Sequence, residues 1–160
     1  MNDGVPDRSR APVLVIGVGS ELRRDDAAGR RVAERVSARE LPDVEAMSLM
    51  QLMPELAADL VGRTLVVFVD ASVEVEEVTV VEAHGSAADA AFSHHLDPPT
   101  LLALAERLGS LPAAALTVHV PATDLGLGTR LSPAAGRAVE RAVDIVGDLV
   151  RQPASHAQER

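Results

Sequence analysis

The chain has 160 residues and a formal net charge of −9, with two phenylalanines and no cysteine, tyrosine or tryptophan. All 15 basic residues are arginine, so Schiff-base chemistry on a lysine is excluded, as are disulfides, thiolate metal sites and cysteine nucleophiles. The acidic balance and the scarcity of aromatic stacking surfaces argue against a phosphate-backbone partner, so no nucleic-acid partner is expected. In chain order, residues 1–11 read as a flexible, charged tail. Residues 12–18 form a continuous apolar run, the pattern of a strand covered on both faces. Residues 26–39 place Ala28, Val32, Ala33 and Val36 on one helical stripe. A short strand follows at 44–49, then a helix over 54–61 with Pro54 in its first turn. Residues 64–69 (TLVVFV) make a third, wholly apolar strand.

A fourth strand is expected at 78–83. Only about seven residues separate it from Asp70, too few for a parallel crossover, so it should run antiparallel to the third. After a loop over 85–96, Asp97 caps a helix with Pro98 and Pro99 in its first turn. A fifth strand covers 114–120. Ser132 and Pro133 open a last helix whose stripe is Val139, Ala142, Val143, Val146, Leu149 and Val150. Residues 151–160 read as a second flexible tail. The pattern βαβαββαβα predicts one α/β domain over 12–150. It is a three-layer sandwich around a mostly parallel, doubly wound sheet of about five strands, ordered 2-1-3-5 with strand four as an antiparallel edge. A domain of this length buries roughly 70% of its unfolded surface and needs no covalent staple. No run reaches the ~20 apolar residues of a membrane helix, and the first apolar run is too short for a secretory signal, so a cytoplasmic location is expected.

In open α/β sheets ligands bind beyond the carboxyl ends of the strands, where strand order reverses. Here that point lies between strands one and three. The loop after strand one carries Asp25 and Asp26, and strand three ends in Asp70. The helix preceding strand five must start at the same sheet edge, and His94 and His95 come just before it. Asp25 or Asp26, Asp70, and His94 or His95 should therefore converge. Two carboxylates and an imidazole suit a divalent metal with open positions, without selecting one metal.

Each residue also has a plainer reading. Asp25 or Asp26 would serve as a helix N-cap, one capping while the other binds. Asp70 would make an Asx turn, and the two histidines would be a solvated pair. Gly17 and Gly19 would make the turn after strand one. As a dinucleotide fingerprint they fail, since position 22 is Leu and the acidic pair would repel a pyrophosphate. Glu21 either contacts substrate or is solvated. His119, near the end of strand five, is a candidate to support the site from behind, while His84 and His156 have weaker claims. No G-x-S-x-G elbow is present.

The ordered set Gly17-Val18-Gly19-Ser20-Glu21-Leu22-Arg23-Arg24-Asp25-Asp26-Ala27-Ala28-Gly29, Val69-Asp70-Ala71, Ser93-His94-His95-Leu96 and Leu131-Ser132-Pro133 resembles the hydrogenase maturation endopeptidases over roughly residues 12 to 150. Gln51-Leu52-Met53-Pro54-Glu55-Leu56 fits the same likeness. The resemblance implies a protease that trims a C-terminal extension from the large-subunit precursor of nickel–iron hydrogenase after nickel insertion. The nickel carried by the substrate is then the recognition element. No organic cofactor is implied, and the enzyme is expected to act as a monomer. Carried over by position, the metal-contacting and catalytic residues are Asp26, Asp70 and His95. Asp26 stands where some members have Glu, which shortens the reach by one methylene. The alternative reading is a non-catalytic α/β module that binds a metal or a partner.

Overall fold

The computed structural model describes residues 10–86 and 96–156. Strands β1 (Val13–Val18), β2 (Val44–Leu49), β3 (Leu65–Ser72), β4 (Thr79–Glu82) and β5 (Ala114–Pro121) form one sheet. Helices α1 (Ala28–Ala38), α2 (Ala57–Leu60), α3 (Pro98–Leu108) and α4 (Pro133–Arg151) cover it. The order is β2-β1-β3-β5-β4, with every pairing parallel except β4 with β5. This is the expected architecture. β4 runs antiparallel to β3, as its short connection requires, but hydrogen-bonds β5, because β5 occupies the edge of β3 from Leu65↔Ala114 to Ser72↔Pro121.

The continuous apolar runs follow from burial on both faces. Odd-numbered β1 and β3 residues (Val13, Val15, Leu65, Val67, Val69) pack with Val32 and Val36 of α1 and with Val139, Val143 and Val146 of α4. Even-numbered ones (Leu14, Ile16, Val66, Phe68) pack with Leu60 of α2 and Leu101, Leu102 and Ala105 of α3. Among the described residues Phe68 is the largest fully buried side chain, and it anchors a core otherwise made of aliphatic side chains. Burying a side chain of that size contributes roughly 2–3 kcal/mol.

Several boundaries differ from the sequence reading, each for a local reason. The first helix starts at Ala28, after a 3-10 turn over Arg24–Ala27. Arg24 at φ 47° keeps the chain out of regular helix there. The second helix splits into a 3-10 turn, Pro54–Leu56, and the single α-turn of α2. β3 continues to Ser72 because β5 pairs with it that far, so Asp70 lies inside the strand. Order also runs past position 150: Arg151 closes α4 and Pro153–His156 adds a 3-10 turn. Both proline-led helix starts are as read, with Asp97 accepting from the Thr100 N–H and Ser132 from the Ala135 N–H. No helix among the described residues is long and apolar enough to cross a membrane.

Candidate active site

The loop between β1 and α1 is shaped by close backbone approach. Gly19 has φ +147°, and a Cβ there would lie 1.8 Å from the Asp26 carbonyl oxygen. A Cβ on Gly29 would meet the Val69 carbonyl oxygen at 2.3 Å and that of Val18 at 2.7 Å. The first turn of α1 therefore sits directly on the ends of β1 and β3. This is more than the turn-making role the sequence assigned to glycines here, because Gly29 is a packing position. Gly29→Ala must push backbone against backbone and is expected to lose about 3 kcal/mol of unfolding free energy, the upper part of the overpacking range. Urea denaturation checks this, with loss under 1 kcal/mol contradicting the geometry.

The two adjacent aspartates part ways. Asp25 is completely buried. Its Oδ1 accepts from the Ser132 N–H at 2.7 Å, and its Oδ2 from the Thr123 N–H at 3.0 Å, the Asp124 N–H at 2.9 Å and the Ser132 hydroxyl at 2.8 Å. Burial pushes this carboxyl up, but the hydrogen bonds from Ser132, Asp124 and Thr123 together outweigh it and hold the pKa below the usual value. Asp26 points the other way. Its Oδ2 accepts from the Ser20 N–H at 2.8 Å, and it lines a cleft of about 240 Å³ with Asp70 and His119. Neither aspartate caps α1, whose N-cap is Ala27. The second role is instead a clip across the molecule.

Strand alternation places Asp70. Residues 66, 68 and 70 of β3 and 115, 117 and 119 of β5 share the α2/α3 face, and the register pairs Phe68 with Thr117 and Asp70 with His119. The cleft opens where this apolar face ends at the carboxyl edge. Phe68, Leu52 and Thr117 form its floor, and Leu96, Asp97 and Pro98 its far wall. Burial raises the Asp70 carboxyl to about 6; the Ala71 backbone hydrogen bond opposes this, and the Asp26 charge adds to it.

Of the residues singled out from sequence, Asp26 and Asp70 thus share one cleft, and Asp25 is withdrawn from it. His94 and His95 lie outside the described residues, although Leu96, next in the chain, lines the cleft. Among the described residues no three His, Asp or Glu side chains are grouped to hold a metal ion. Glu21 pairs with Arg30 at 3.3 Å and is not among the residues lining the cleft. His84 pairs with Glu82 at 3.2 Å on β4, away from the cleft. The sequence reading missed the Asp25 clip, whose partners lie about a hundred positions away with no local signal. It also undervalued His119, although strand parity was sufficient to put it beside Asp70.

No family model matches the chain, and no curated protein matches it significantly. Solved structures do. The hydrogenase maturating endopeptidase HybD from E. coli superposes with TM-score 0.70 at 23% identity, over 88% of this chain and 92% of its own. The [NiFe] hydrogenase maturation protease HycI from Thermococcus kodakarensis KOD1 gives TM-score 0.64 at 26% identity, over 90% and 95%. The hydrogenase 2 maturation peptidase from a Thaumarchaeota archaeon gives 0.66 at 27%, over 87% and 97%. A doubly wound sheet with two carboxylates in the switch-point cleft, matched over nearly full length by peptidases, makes this protein a peptidase of the α/β class. Within that class, the chain is similar to hydrogenase maturation proteases of solved structure at 26% and 27% identity, over the span that carries the motifs.

Proposed function

We propose that this peptidase removes a C-terminal extension from the nickel-loaded precursor of a nickel–iron hydrogenase large subunit, recognising the nickel that the substrate carries. Asp26, Asp70 and His95 contact that ion. The observation that carries the reading is the pair of carboxylates, Asp26 from the β1–α1 loop and Asp70 from β3, lining one cleft at the sheet's carboxyl edge. Leu96, which lines the same cleft, supports bringing His95 to it. Carboxylate oxygen and imidazole nitrogen suit a borderline divalent cation such as Ni²⁺. The ion supplies Lewis acidity towards a peptide carbonyl or water. The protein's part is to hold the ion and so fix the adjoining peptide for hydrolysis. The enzyme acts in the cytoplasm as a monomer and uses no organic cofactor.

The test is cleavage of a purified nickel-loaded precursor, followed by mass spectrometry of the product. Wild-type protein should release the extension, while His95→Ala should not. Unchanged cleavage by His95→Ala would remove the imidazole from the site. Binding without any product would return the chain to a non-catalytic metal-binding module.

Cation binding should also depend on pH in a stated direction. Burial raises the Asp70 carboxyl to about 6, so a proton competes with the ion below that value. In His95→Ala, where the imidazole no longer competes for protons, Cd²⁺ affinity measured by calorimetry should be level above pH 7 and fall by up to about tenfold per unit below pH 6. A flat profile between pH 5 and 7.5 would contradict ligation by Asp70.

A further inference from the structure

We propose that His119 is a substrate-binding residue, its imidazole N–H donating a hydrogen bond to a backbone carbonyl of the precursor segment that lies beside the ion. The inference rests on the maturation-peptidase reading and adds a contact to it. His119 is the register partner of Asp70 on the adjacent parallel strand, so their side chains leave the sheet on the same face about 4.8 Å apart. Both line the cleft. His119 is half-buried, and among the described residues none hydrogen-bonds its ring.

Donor chemistry identifies the occupant. A peptide entering the cleft brings carbonyl oxygens that lose water and need donors. Asp26, Asp70 and Asp97 are acceptors when ionised and offer none. Among the described residues, the side-chain donors lining the cleft are Gln51, Thr117 and His119. Gln51 is exposed on the rim, and Thr117 is buried in the floor at 7% exposure. His119 stands between these extremes, on the same rung as a carboxylate that would hold the ion. Asp26, Asp70 and His119 do not group as an ion site, so the imidazole is left for the peptide.

The experiment compares wild type, His119→Ala and His119→Gln in two assays: cleavage of the nickel-loaded precursor and Cd²⁺ binding by calorimetry. Loss of one hydrogen bond to the reacting segment should slow cleavage by His119→Ala about tenfold. Cd²⁺ affinity should stay within about twofold of wild type, while His119→Gln, which keeps an N–H donor, recovers part of the rate. Wild-type cleavage by His119→Ala would overturn the inference. So would a parallel loss of Cd²⁺ affinity, which would make His119 an ion ligand, or equal losses in both variants with a lowered melting temperature, which would make it structural. If wild-type protein leaves the nickel-loaded precursor intact, the functional reading itself fails, a result distinct from all of these.

Discussion

Asp70→Asn is expected to abolish processing of the precursor while making the fold more stable above pH 6. The substitution keeps the shape of the side chain and removes the charge. Without a carboxylate in β3, the proposed ion site would lose one of its two oxygen ligands in the cleft. The expected fall in cleavage rate is on the order of a thousandfold, since ion-mediated stabilisation of developing charge is worth several kcal/mol. The stability effect has the opposite sign. Burial raises the Asp70 pKa from 3.8 to about 6, so the folded state holds this proton more tightly than the unfolded one. The favourable contribution is present in full below about pH 3.8 and is lost as pH rises through about 6. At neutral pH the ionised carboxylate therefore opposes folding. Because it remains partly exposed to solvent in the cleft, the penalty is discounted to about 1–2 kcal/mol. Urea denaturation at pH 7.5 should show Asp70→Asn more stable by that amount, and the difference should vanish near pH 4. A variant that is both inactive and less stable at pH 7.5 would make Asp70 a structural residue.

Asp25→Ala should be the most destabilising substitution near the site. The buried carboxylate holds three backbone N–H groups, of Thr123, Asp124 and Ser132, together with the Ser132 hydroxyl. That hydroxyl in turn accepts from the Ala135 N–H at 3.2 Å, so the clip reaches the first turn of α4. Backbone bonds beside it, Asp25 N–H to the Asp124 carbonyl and Arg24 N–H to the Gly128 carbonyl, both at 3.0 Å, tie the same two loops. Truncation leaves several buried donors without an acceptor, and the expected loss is about 3–5 kcal/mol. Asp25→Asn keeps the volume but has a single acceptor oxygen, so its amide N–H must face a backbone donor; it should recover only part of the loss. The sign with pH is the reverse of that for Asp70. The Asp25 pKa is held below 3.8, so its contribution is complete above that value and is lost as pH falls through the lower, folded pKa. Wild-type stability within 1 kcal/mol for Asp25→Ala would show that the clip is dispensable.

These two aspartates also mark how far the sequence could be read. Asp70 was legible because a wholly apolar strand predicts its own direction and the edge at which it ends. The switch-point rule then assigns that edge to ligands. The sheet order was legible for the same reason, since parallel strands, right-handed crossovers and a short β3–β4 connection leave few arrangements. The division of labour between Asp25 and Asp26 was not. Both stand in the same acidic run, and what separates them is contact with Thr123, Asp124 and Ser132, fixed only when the last loop packs over the first. Gly29 was hidden likewise, because the carbonyl of Val69 that excludes a side chain there belongs to another strand. The 3-10 turn at Arg24–Ala27 follows from these tertiary ties and not from helix propensity.

The proposed sharing of one ion by Asp26, Asp70 and His95 is tested most directly by anomalous diffraction from crystals of the protein soaked in Cd²⁺. One peak is expected in the cleft, within coordination distance of a carboxylate oxygen of Asp26, a carboxylate oxygen of Asp70 and an imidazole nitrogen of His95. A peak that one of these side chains does not reach, or a cleft without Cd²⁺ at saturating concentration, would contradict that sharing.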